Sequence, residues 1–133
     1  MLNPTRTRAR DAALVVHIQA TSARLRFLCW PHGMLLDVPP GERACPADTL
    51  VRRCAGLLGL PPAQVVVDPS FRVDYRPLRR SHIRIWLLQL KTLDPPFVSA
   101  ATAGGCFVDL LEARRFDRHL LEVLSAAYAH ILG

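Results

Sequence analysis

Apolar and polar positions alternate through the first third of the chain and then change period. In "ARLRFLCW", Leu25, Phe27 and Cys29 alternate with Arg24, Arg26 and Leu28, the two-residue repeat of a strand. "AALVVHIQA" reads as a strand before it, with "TS" as the tight turn between them. "MLLDV" predicts a third, short strand, and "PPGER" breaks it. From Pro46 onward, Leu50, Val51, Cys54, Leu57 and Leu58 recur at helical spacing and form a one-sided stripe. Pro46 suits a first helical turn, and Gly59 suits the left-handed position that ends a helix.

"AQVVVD" and "SFRVDYR" read as one strand region interrupted at Asp68-Pro69. Phe71, Val73 and Tyr75 fall on one face of it, and Arg72, Asp74 and Arg76 on the other. "PLRRS" predicts a turn, and "HIRIWLLQL" a central strand buried on both faces. "KTLDPPFVSAATAGG" reads as a loop. In the closing segment "CFVDLLEARRFDRHLLEVLSAAYAHIL", a strand-like start leads into Asp109 and Glu112, spaced as a capping box. Asp117 suits the N-cap of a last helix whose apolar face is Leu120, Leu121, Leu124, Tyr128, Ile131 and Leu132. Burying both sets of apolar faces predicts an α/β (α+β) architecture, a mixed β-sheet packed between helices. Residues 1–10 are expected to be a basic arm and residues 11–133 a single domain, as suits a chain of 133 residues.

Charge changes the picture in one respect. The formal net charge is +6, and Lys91 is the single lysine among seventeen basic residues. A basic surface favours anionic partners, although so strong an arginine bias is also what GC-rich coding produces. Cys29, Cys45, Cys54 and Cys106 form no C-x-x-C pair, and the histidines form no i, i+4 pair. Cys29 and His32 have ligand-like spacing without a second pair to complete a zinc site, so no structural metal is expected. Asp11 and His17 interrupt the first apolar stretch, which argues against a signal peptide. No run approaches the ~18 residues of a membrane span. The expectation is a soluble, cytoplasmic chain with no membrane partner.

Three stretches resemble the Nudix family, and the order of elements matches it over nearly the whole chain. "LLDVPPG" stands where that family has an apolar strand ending in Pro-Gly-Gly, and "LVRRCAGLLGL" keeps an Arg-aliphatic-Gly-aliphatic frame. "CFVDLLEA" is similar to the strand and helix start that follow the family's box. The resemblance implies a Nudix-like fold. The family's box, G-x5-E-x7-R-E-U-x-E-E-x-G-U with U aliphatic, holds magnesium or manganese through glutamates on its helix. Aligned on Gly59, Arg52 takes the arginine position, Arg53 replaces the neighbouring glutamate, and Gly56 and Leu57 stand where the glutamate pair belongs. Ala44 occupies the first glutamate position. Gly41 and Glu42 open the segment, but alignment on Gly41 leaves the loop three residues short. A hard cation needs several oxygen ligands, some of them anionic, so this degenerate box predicts no metal, no cofactor and no catalytic residue.

The leading functional expectation is therefore a non-catalytic, Nudix-fold binder of a nucleotide, another phosphorylated ligand, RNA or a protein. "FRVDYRPLRRSHIRIW" carries it, with Arg72, Tyr75, Arg76, Arg84 and Trp86 as ligand-binding candidates and Arg79 and Arg80 close by. Arginine forks suit phosphate and aromatic faces accept bases. Arg84 and Trp86 share a strand face, Arg72 joins them if the strands pair, and Tyr75 faces away. One alternative is a divergent hydrolase of nucleoside diphosphate-linked compounds that holds Mg or Mn with Asp37, Glu42, Asp48 or Glu112. The other is a protein-interaction module, a homodimer among its forms, with the C-terminal helix contributing.

Overall fold

The computed structural model describes residues 8–77 and 81–133. Strand β1 (Arg8–Gln19) organises the sheet. Along one edge it runs parallel to β6 (Ser81–Leu90), in register from Arg8↔Ser81 to Val16↔Gln89. Its other edge takes two antiparallel partners in succession, β3 (Leu35–Asp37) and β2 (Arg24–Cys29). β7 (Cys106–Val108) adds to the outer edge of β2. β4 (Val65–Val67) and β5 (Val73–Tyr75) both lie antiparallel on the outer edge of β6. The strand region read as interrupted at Asp68-Pro69 is thus two short strands on one neighbour.

Both faces of this mixed sheet are covered. Ala12 through Val16 are completely buried, which explains why β1 reads as an unbroken apolar run. On one face Leu14, Val16, Phe27, Ile85 and Leu87 pack with Leu120, Val123, Leu124 and Ala127 of the C-terminal region. That region comprises α3 (Leu110–Phe116), a turn at Arg118–Leu120 and α4 (Leu121–Leu132). On the opposite face Ala13, Val15, Leu28, Leu88 and Leu90 meet Leu50, Cys54, Ala55 and Leu58 of α1 (Pro46–Leu58). Gly59 ends α1 in the left-handed conformation, with φ +63°, as its place in the sequence predicts. The capping box at Asp109 and Glu112 is formed in both directions.

Several expectations need correction. β1 reaches back to Arg8, so the last three residues of the expected arm pair with β6. The segment read as a loop contains a short helix, α2 (Phe97–Thr102), which follows the Pro95-Pro96 pair and is too brief to show a period. On α1, Leu57 is 45% exposed and Ala55 takes its place against the sheet. On α4, Tyr128 and Leu132 point outward, while Val123 and Ala127 face the core. The buried stripe thus mixes small and large side chains, which a stripe of large residues does not predict. The turn read from "PLRRS" falls largely on residues 78–80, outside the described residues, as do Arg79 and Arg80.

Candidate ligand-binding groove

Strand pairing brings together residues far apart in sequence. The register sets Asp11 of β1 beside Arg84 of β6, and Arg84 opposite Asp74 of β5. Side chains in such a row share a face of the sheet, here the face that carries α1. Two residues along β6, Trp86 lies on the same face and packs against the α1-side core. The Asp11 carboxylate joins these elements: it accepts 2.9 Å bonds from Arg84 Nη2 and from Trp86 Nε1, one on each oxygen. Only 10% of the Asp11 side chain is exposed, whereas Arg84 keeps 54% of its own in solvent. Arg84 is therefore oriented from behind and open in front.

Arg72 completes the groove. Its guanidinium lies 5.9 Å from the centroid of the Trp86 ring, within cation–π range. Phe71, Arg72, Val73, Asp74, Arg84, Ile85 and Trp86 line a cleft of about 240 Å³. That is smaller than the ~300–1,000 Å³ of typical ligand pockets, so it suits one ring or one phosphate group with the remainder of a ligand outside. His82 approaches Asp74 at 2.9 Å on the same face.

The structure brings Arg72, Arg84 and Trp86 together and separates the other two candidates from them. Tyr75 packs on the opposite face, against the α4-side core. Burial, helped by the Asp117 carboxylate, raises its phenol pKa. Arg76 is exposed at the β5 margin and lines a shallow depression with Glu122 and Ala126 of α4. Asp11 was missed by reading toward the arginine-rich stretch. The available signal was a carboxylate at the head of an apolar strand, a residue type that is buried only when partnered.

The box segment is ordered but offers no ligand set for a cation. Gly41 turns the chain at φ +78°. Glu42 Oε1 accepts from the Arg43 and Ala44 backbone N–H groups at 3.1 and 3.0 Å, closing the loop on itself. Arg52, Arg53, Gly56 and Leu57 all face solvent on the outer side of α1. Of the alternative carboxylates, Asp37 lies 3.6 Å from Arg10, Asp48 sits in the first turn of α1, and Glu112 is held in its capping box. Among the described residues, no three His, Cys, Asp or Glu side chains gather where they could hold a metal. These residues do not fit the divalent ion that the Nudix resemblance implies.

A second polar cluster lies between β4 and α4. Ser70 Oγ donates to Asp68 Oδ1 at 2.8 Å, and His130 Nε2 lies 2.9 Å from Asp68 Oδ2 and 3.2 Å from Ser70 Oγ. One imidazole nitrogen faces both partners, so no relay of serine, histidine and aspartate on opposite ring nitrogens exists. Burial acts to raise the Asp68 pKa, but the Ser70 hydroxyl and N–H and the His130 ring outweigh it and hold the carboxyl below its ordinary value. The cluster ties the end of α4 to the sheet. No described helix is long and apolar enough to cross a membrane.

No protein-family model matches the chain. No curated protein matches it either. Among solved structures, a crystal structure of an Ap4A hydrolase from C. elegans superposes with a TM-score of 0.61 at 13% identity, covering 94% of this chain and 98% of that one. A binary complex of an Ap4A hydrolase from C. elegans gives 0.62 at 16% identity, covering 90% and 97%. Identities this low speak to architecture alone, and on that architecture the chain has a Nudix-like α+β fold, a mixed sheet with flanking helices.

Proposed function

We propose that the chain is a Nudix-fold binding protein for a nucleotide-class phosphorylated ligand and does not perform metal-dependent hydrolysis through its box segment. The observation that carries this reading is the pair Arg72 and Arg84 beside the Trp86 ring, on the sheet face shared with α1. Arg84 presents a planar fork to a phosphate, and Asp11 holds that fork and the indole in fixed relation. Trp86 offers an aromatic edge or face to a base. Positions 53, 56 and 57 supply no carboxylate to bridge a cation to a diphosphate. The binary complex of the C. elegans Ap4A hydrolase lends support, as a protein of this fold solved with a bound partner.

The test is calorimetric titration with nucleoside mono-, di- and triphosphates and dinucleoside polyphosphates, alongside assay of phosphate and nucleotide release with and without magnesium or manganese. Binding without turnover is expected, and Arg72→Glu with Arg84→Glu should weaken it at least tenfold. Unchanged affinity in that double variant overturns the groove assignment. Metal-dependent release that disappears in Glu42→Gln or Asp48→Asn instead establishes the relocated-carboxylate hydrolase.

A further inference from the structure

On the far side of the sheet from the groove, two cysteines widely separated in sequence meet. β2 and β7 are antiparallel, and the register places Cys29 directly opposite Cys106. Directly opposed residues in such a pair have Cα atoms about 4.5 or 5.5 Å apart, depending on the ladder position. Both values lie inside the roughly 4.4–6.8 Å that a disulfide spans. Their side chains share a face. Burial, with the Cys106 thiol nearby, raises the Cys29 pKa, and Cys29 Sγ lies 3.7 Å from the Trp30 carbonyl oxygen. Both cysteines are free thiols here.

The backbone is built for this approach. A Cβ at Gly105 would come within 2.6 Å of the Cys29 carbonyl oxygen, and one at Gly104 within 2.8 Å of the Pro31 ring. The "GGC" run therefore lets β7 close onto β2 where a side chain would hold it off, and Cys106 follows at once. The two thiols differ in access: Cys29 is 8% exposed at the core edge, while Cys106 faces solvent. Exposure decides which thiol meets an oxidant first.

We propose that Cys29 and Cys106 form an oxidative modification site, a reversible cross-strand disulfide made by hydrogen peroxide. Peroxide oxidises the Cys106 thiol to a sulfenic acid and releases one water. Cys29 sulfur then attacks the Cys106 sulfur, the S–O bond breaks, and the departing hydroxide leaves as a second water with the Cys29 proton. Two thiols lose two hydrogens in all, and peroxide is reduced to two waters. A small-molecule thiol reverses the bond by exchange. The product staples the edge strand β7, and with it the start of α3, to β2. This site is separate from the groove and does not depend on its ligand.

The test treats the intact chain with a slight excess of peroxide, then alkylates remaining thiols and maps peptides without reduction. The expected result is one intramolecular link joining the Cys29 and Cys106 peptides, lost on dithiothreitol treatment and absent from Cys106→Ser. Cys54 should be recovered alkylated after denaturation, and the exposed Cys45 should take part in no intramolecular link. Cys54 serves as the unreactive control, because burial pushes its thiol up to about 12. Recovery of Cys29 as a free thiol, with Cys106 overoxidised or joined to Cys45 or to a second chain, overturns the assignment. Cys106 lies at the surface, so Cys106→Ser is expected to fold, and circular dichroism of the variant confirms that its missing link reports chemistry.

Discussion

Replacing Gly56 with alanine should make the protein more stable. Gly56 lies inside α1, two residues before its last residue, and is exposed. A Cβ built there meets no atom within 4 Å, and the backbone is not in the left-handed region that favours glycine. Neither packing nor conformation therefore requires glycine. Glycine in a helix interior costs about 0.5–1 kcal/mol relative to alanine, through the greater freedom of the unfolded chain. For a domain of this size, that gain corresponds to a rise in Tm of roughly 2–5 °C. In urea the midpoint should move up by about 0.3–0.5 M with an unchanged m-value, since no additional surface is buried. Differential scanning calorimetry and a urea titration of wild type and Gly56→Ala measure both. A variant of equal or lower stability refutes the claim that the site is sterically and conformationally free. A stabilised variant that binds ligand more weakly shows that glycine is kept there for the close approach of a ligand.

The same open face permits a reconstruction. Arg53→Glu, Gly56→Glu and Leu57→Glu together place three carboxylates at helical spacing on the exposed side of α1, so manganese should raise the Tm of the triple variant. At ten times the dissociation constant the effect is about 1.4 kcal/mol, and a shift of the same size in wild type would place a metal elsewhere. The Asp68 carboxyl is held below its ordinary pKa in the folded chain, so its stabilisation is fully present above the unfolded value, about 3.9, and fades as pH falls through the folded one. The gap in urea midpoint between wild type and Asp68→Asn should be constant above about pH 5 and close below about pH 4; a gap that widens on acidification refutes this. Ligand affinity should fall only a few-fold between 50 and 200 mM salt, whereas a partner neutralising six or more phosphates would cost about 10³-fold or more; isothermal titration at the two salt levels decides between a small ligand and a nucleic acid.

Where the chain's physics is local, the sequence carries it openly. Leu25, Phe27 and Cys29 do point to one core and Leu28 to the other. Gly59 and the Asp109–Glu112 box end and start helices where their backbone preferences require. Phe71, Val73 and Tyr75 do share the α4-side core. What the sequence concealed depends on pairing between distant segments. Asp11 looks like a flaw in an apolar strand until β1 lies parallel to β6 and brings two donors to its oxygens. Cys29 and Cys106 look scattered until β7 returns to β2. The outward turn of Leu57 and Tyr128 depends on how each helix is rotated against the sheet, which periodicity does not encode.

Asp11 also alters the chemistry that the arginine-rich stretch suggests. Among the described residues, Arg72 and Arg84 stand against Asp11 and Asp74, two charges of each sign around one cleft. The net charge of +6 is therefore not concentrated at these four residues. On the proposed binding reading, selectivity would come from position. A guanidinium fork held by a nearly buried carboxylate has already lost much of its rotamer freedom, so little is left to lose when it meets a phosphate. The indole is fixed by the other oxygen of the same carboxylate, so on the proposed reading it would set the distance between a ligand's ring and its phosphate. Removing the acid by Asp11→Ala would add positive charge to the cleft yet release both groups that define its shape. On the proposed binding reading the loss of orientation should outweigh the gain in charge, so Asp11→Ala should weaken nucleotide binding in the calorimetric titration, and unchanged or tighter binding refutes that role for the carboxylate.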